Sequence, residues 1–159
     1  MHELTLSAGM SCERLRRALR EDRSAWKFAV FIGNVAEHAD TKTLTREHAL
    51  LQHFLEGHLE SHFVQEEREL FPVLAQRGHA REIEEAMRQH GEIRRLRERF
   101  AKVSSDDPNT MRAFLSDVAR ELKGHVRYEA AFVYDDLKHA EVDEYREDID
   151  ALLADVAGG

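Results

Sequence analysis

The stretch HFVQEERELFP, His62 to Pro72, decides how this chain is read. Leu51, Leu55, Leu59, Leu70 and Val73 recur three or four residues apart, or at multiples of that spacing, and mark one buried face of a helix. His62 and Glu66 fall on the same face, one turn apart, about 6 Å along the axis. Ionisable groups are costly to bury unless they are paired or hold a metal. Either the row is misread, or something in the interior holds its histidine and glutamate.

The pattern occurs twice. Phe114, Val118, Leu122, His125, Glu129 and Phe132 form the face of a later helix, again with H-x-x-x-E set into an apolar row. Between the two lies a helix whose row is Met87, His90, Ile93, Leu96 and Phe100. Before them, Leu15, Leu19, Asp22, Trp26, Ala29 and Ile32 or Gly33 make another. Leu19-x-x-Asp22 matches Met87-x-x-His90, so each half of the chain offers one ligand-type residue and then H-x-x-x-E on the next helix, a weak internal repeat.

Turn signals divide the chain into four long helices: about 11–38, 44–76, 80–103 and 108–138. ADTKT is the first connection and Gly78 closes the second helix, with Pro72 disturbing its last turn. SSDDPNT is the clearest loop, with Asp107 as N-cap and Pro108 as first helical residue. A short amphipathic helix follows, with Val142, Tyr145, Ile149, Leu152 and Val156 on one face. The expected fold is all-α, an up-down-up-down four-helix bundle with a short C-terminal fifth helix, in a single domain over residues 1–159. In such a bundle, residues equidistant from a connection lie at one depth. Asp22 and His62 then share a level, as do His90 and His125, so that Asp22, His62, Glu66, His90, His125 and Glu129 can meet in one layer.

Composition narrows the function. The chain has 31 acids against 23 bases, a net charge of −8, which disfavours a nucleic-acid partner. The single Cys12 forms no internal disulfide, and MHELTLSAGM lacks the features of a signal peptide, so a cytoplasmic location is expected. FAVFIGNVA, Phe28 to Ala36, is too short to span a membrane but is apolar nearly all round. Either the tail helix or a second copy, in a homodimer through this first helix, would cover it. Six N and O ligands without thiolate suit a hard-to-borderline cation, and two facing carboxylates suit a pair of ions.

HFVQEERELFP, read as H-x-x-x-E-E-x-x-L-F-P, with a second H-x-x-x-E and lone residues in the first and third helices, resembles the hemerythrin-like (HHE cation-binding) domain family. The resemblance covers the four-helix region. It implies a non-haem di-iron centre with bridging carboxylates that binds or senses oxygen or nitric oxide, or handles iron. His62, His90 and His125 would then be terminal ligands, Glu66 and Glu129 bridges, and Asp22 would complete one shell. Manganese or zinc fit the same ligands. The chain departs from the oxygen carriers in two places: Arg94 stands where they have a second histidine in H-x-x-x-H, and the fourth helix has H-x-x-x-E in place of H-x-x-x-x-D. Both features match the broader HHE group. Asp22 also stands where the family usually has histidine.

Other polar groups read as ordinary. His38, His48 and His53 lie away from the layer, His58 flanks it, Tyr128 sits at the core edge, and Glu67 and Glu69 are solvated. An oxidase or peroxidase using the same centre is the alternative function, and an interaction module controlled by iron is another. The chain has no Glu-x-x-His of the ferritin-like type and no H-E-x-x-H of zinc hydrolases.

Overall fold

The computed structural model describes residues 12–134 and 146–158, and among these every regular element is helical. Helix α1 spans Cys12–His38. Only two residues separate it from the next rod, because Asp40 accepts from the Thr43 amide at 2.7 Å and caps a helix that starts at Thr41. The ADTKT connection is thus shorter than expected, with its last three residues already helical.

The second rod, α2, alternates between two windings. The α-helical segments Thr41–Phe54, Glu60–Gln65 and Phe71–Leu74 are separated by π turns at Leu55–Leu59 and Glu66–Leu70, and a further turn, Ala75–His79, ends the rod. Pro72 lacks an amide and its ring crowds the carbonyl four residues back. The wider turn at Glu66–Leu70, in which the Phe71 amide bonds the Glu66 carbonyl, accommodates it. Gly78 takes φ 102°, a left-handed conformation that breaks the rod before α3, Ala80–Lys102. Helix α4, Pro108–Glu129, starts on Asp107, which accepts from the Thr110 amide at 3.2 Å, and continues as a π turn over Ala130–Tyr134.

The core follows the expected faces with one correction. Leu19, Ala29 and Ile32 of α1, Leu55 and Leu59 of α2, Ile93 and Phe100 of α3, and Val118 and Leu122 of α4 are all buried. In α3, however, the row passes through Ile83 and Ala86, and Met87 is 42% exposed. Both 86 and 87 stand at helical spacing from His90, and the larger side chain is the one that faces out. Helix α1 packs most extensively on α4. Arg112 of α4 donates to the carbonyls of Ala36 and Ala39, satisfying acceptors at the end of α1.

A last helix, α5, spans Arg146–Gly158 and packs on α1 with Ile149 and Leu152 fully buried. Arg23 meets Asp155 at 2.7 Å and Arg16 meets Asp148 at 3.3 Å, so α5 lies along the first half of α1. Val142 and Tyr145 fall outside the described residues, as does the expected end of α4 near Lys138. The tail helix leaves Val30 36% and Phe31 48% exposed on α1, with Leu50 and Phe54 of α2 exposed as well. No helix among the described residues is long and apolar enough to cross a membrane.

Gly78→Ala places a Cβ on left-handed backbone and is expected to destabilise the chain by about 1–2 kcal/mol. Gly124→Ala, inside α4 where an added Cβ meets nothing within 4 Å, is expected to stabilise it by about 0.5–1 kcal/mol. Denaturant melts of the two variants read both signs.

Candidate metal centre

Each ligand-type residue arrives on the buried row of its own helix. Asp22 lies on α1 inside the charged run REDR, where its neighbours turn away: Arg23 reaches Asp155, while Glu21 lines a cavity. His62 and Glu66 come from α2, His90 from α3, and His125 and Glu129 from α4. All six are buried, none more than 4% exposed. Both glutamates sit where α winding meets π winding. Glu66 opens the turn Glu66–Leu70, and Glu129 directly precedes the turn Ala130–Tyr134. Such turns re-aim side chains and are frequent at functional sites.

The structure brings the six side chains together. His62 Nε2 lies 2.9 Å from Asp22 Oδ1 and 3.5 Å from Glu66 Oε1. Glu66 Oε1 is also 3.0 Å from His90 Nε2 and 3.4 Å from His125 Nε2. His90 Nε2 and His125 Nε2 are 3.1 Å apart, and His125 Nε2 is 3.4 Å from Glu129 Oε2. Ligand atoms of His62, Glu66, His125 and Glu129 all lie within 4.8 Å of one another, close enough to hold a metal ion.

The far nitrogens fix where the protons are. His90 Nδ1 lies 2.6 Å from Glu67 Oε2, and Glu67 is held by Arg94 at 2.8 Å. His125 Nδ1 lies 2.8 Å from Gln89 Oε1, and the Gln89 amide nitrogen donates to Glu85 at 3.1 Å, which sets the orientation of that amide. Both acceptors require the imidazole proton on Nδ1. A neutral imidazole then carries a bare lone pair on Nε2. Burial lowers the pKa of both rings, His125 to about 3, so they stay neutral. The two bare nitrogens face each other and an oxygen of Glu66.

The rest of the layer is equally short of hydrogen bonds. His62 Nδ1, Glu66 Oε2 and both Glu129 oxygens are buried without one, and His62 Nε2 faces Asp22. Burial first, then the Asp22 charge for Glu66 and the neighbouring Glu66 and Asp22 carboxyls for Glu129, raise both glutamates well above the ordinary carboxylate range. Desolvation pulls His62 down, but the Asp22 carboxylate outweighs it and raises the ring overall. The donor set fits a cation: metal–nitrogen and metal–oxygen bonds of roughly 2.0–2.2 Å put neighbouring ligand atoms about 3.0–3.4 Å apart. The observed separations fall in or close to that range, and the N/O composition suits iron, manganese or zinc alike.

Three further residues support the layer; Glu67 and Gln89 are not marked by helical spacing, and Arg94, one turn after His90, is. Glu67, expected to be solvated, accepts from His90. Gln89 accepts from His125. Arg94 ties Glu67 and Glu60 together, with its guanidinium 5.3 Å from the centre of the Phe63 ring. Desolvation alone would lower its pKa, but those carboxylates raise it. Glu69 is half-buried, with Oε2 shielded from solvent. Phe63 stacks on His90 at 4.0 Å and walls that side of the layer. The histidines expected to lie outside the layer do so: His48 bonds the Phe100 carbonyl at 3.1 Å, His38 and His53 are exposed, and exposed His58 packs on Phe28. Tyr128 packs edge-on to Phe132.

In the metal-free protein the glutamate pKa values are higher folded than unfolded, where they lie near 4.5. Their stabilising contribution is complete below that value and is lost as pH rises through the folded values. A bound cation takes the place of those protons. The drop in Tm caused by a chelator is therefore expected to grow between about pH 6 and about pH 8, and an equal drop at both would contradict this. Glu67→Ala strips the acceptor from His90 and is expected to weaken metal binding about 10–100-fold in a chelator competition titration.

No family model, curated protein or solved structure matches this chain, so the case for the centre rests on its geometry and donor chemistry.

Proposed function

We propose that this chain is a non-haem di-iron protein of the hemerythrin-like type that binds or senses a small diatomic ligand, oxygen or nitric oxide, or handles iron. The observation that carries the proposal is the buried set of bare imidazole nitrogens and carboxylate oxygens facing one another across four helices. We read those helices as an up-down-up-down bundle with α5 as a short fifth helix.

The distances support a division of roles. His90 and His125 converge at one end of the layer, with Glu129 beside His125. His62 and Asp22 pair at the other end. Glu66 Oε1 lies within 3.5 Å of all three Nε2 atoms, the position of a bridge. Glu67 and Gln89 hold the His90 and His125 protons on Nδ1 and keep Nε2 free to ligate. Phe63 and Phe71, on either side of His90, exclude water from that end. Bound iron would supply open coordination positions and one-electron chemistry; six protein ligands for two ions leave room for a small molecule.

The di-iron oxidase or peroxidase alternative uses the same centre and differs in turnover. A cytoplasmic location belongs to the same proposal, as does a homodimer through the exposed apolar part of α1 around Phe31.

His125→Ala removes one end of the layer and is expected to halve the iron content of anaerobically purified protein while helicity is kept. Unchanged iron would remove His125 from the centre. In the unmodified protein, a visible charge-transfer band bleached by dithionite and restored by oxygen, without consumption of a reducing donor, is the expected spectrum. Sustained turnover of peroxide and donor would favour the enzyme.

A further inference from the structure

A centre this enclosed needs a way in. His90 is stacked between Phe63 and Phe71, and Trp26 is covered by Lys123 and Arg127. The His62 side differs. A cavity of about 380 Å³ lies between α1 and α2, with the buried His62 on its wall together with Glu21, Ser24, His58 and Ser61. His62 is 4% exposed; its Nδ1 makes no hydrogen bond and its Nε2 faces Asp22 Oδ1 at 2.9 Å. Glu21 Oε2 is also shielded from solvent without a partner. His58 is held at the wall by its ring contact with Phe28, 4.9 Å between centroids.

We propose that this cavity is the loading port through which a hydrated divalent cation reaches the layer, with Glu21 and His58 as successive temporary ligands before His62. The inference rests on the metal-centre reading. A charge cannot cross an apolar interior without replacement of its water shell. A carboxylate and an imidazole on the wall, one step before the His62–Asp22 pair, supply that replacement. A neutral diatomic gas has no such need, so the Glu21 carboxylate and the His58 imidazole, set on an otherwise largely apolar wall, mark a cation route. Gly57 lies on the rim, where an added Cβ meets no atom within 4 Å, and the passage stays wide there.

The test uses chelator-stripped full-length chain mixed with cobalt(II), followed by stopped-flow absorbance and by the final cobalt-to-protein ratio. Glu21→Gln, His58→Phe and Gly57→Trp are compared with the unmodified chain, with helicity checked by circular dichroism. Gly57→Trp adds bulk at the rim and replaces none of the polar residues, so it reads the port even if a polar variant folds poorly. The expected result is the same final ratio in all four proteins, with uptake slowed about tenfold or more in the variants. Uptake at the unmodified rate in all three overturns the port and leaves the metal centre standing. A lower final ratio in Glu21→Gln overturns it differently, by making Glu21 a resident ligand. No cobalt uptake by the unmodified chain would overturn the metal centre itself.

Discussion

Two imidazole nitrogens, each with a lone pair and no proton, face each other at 3.1 Å in the middle of this protein. A third is 3.5 Å from the same carboxylate oxygen that the first two approach. Acceptors brought this close in a low-dielectric interior repel one another and lose their hydration. A cation turns each repulsion into a bond. The layer is thus a place where folding free energy is spent to hold an arrangement that only a positive charge completes. Four helices must deliver their side chains to one depth for this to happen, and their leucines, valines and phenylalanines set that depth.

The support around the layer has the same logic. Glu67 and Gln89 are acceptors on the far side of two rings, and each is itself held, by Arg94 and through Glu85. Arg94 stands one helical turn after His90, on the same helix. In this chain that position does not point into the layer. It organises Glu60 and Glu67 on the outside of α2 and so acts on His90 through its neighbour.

Much of the site was legible because a helix writes its buried face into the sequence at fixed spacing. Histidine and glutamate on an otherwise apolar row stand out, and two copies at matching places made the layer readable. Asp22 was readable for the same reason, although REDR looks like a solvated run. The supporting acceptors were not legible. Glu67 follows Glu66 by one residue and so falls off the row; only the position of α3 beside α2 brings it to His90. Gln89 likewise depends on how α3 and α4 are placed. Met87 was misplaced because bulk favoured it over Ala86 where spacing allowed either. The π turns left no periodic mark except Pro72, and nothing of the kind precedes the turn at Ala130.

The most direct test of the central claim is anomalous diffraction at the iron edge from crystals of the chain grown with ferrous iron under anaerobic conditions. The account predicts two peaks about 3.5–4 Å apart, lying among the Nε2 atoms of His62, His90 and His125 and the carboxylates of Glu66 and Glu129. The same side chains buried in the same positions, with no peak among them, would contradict it.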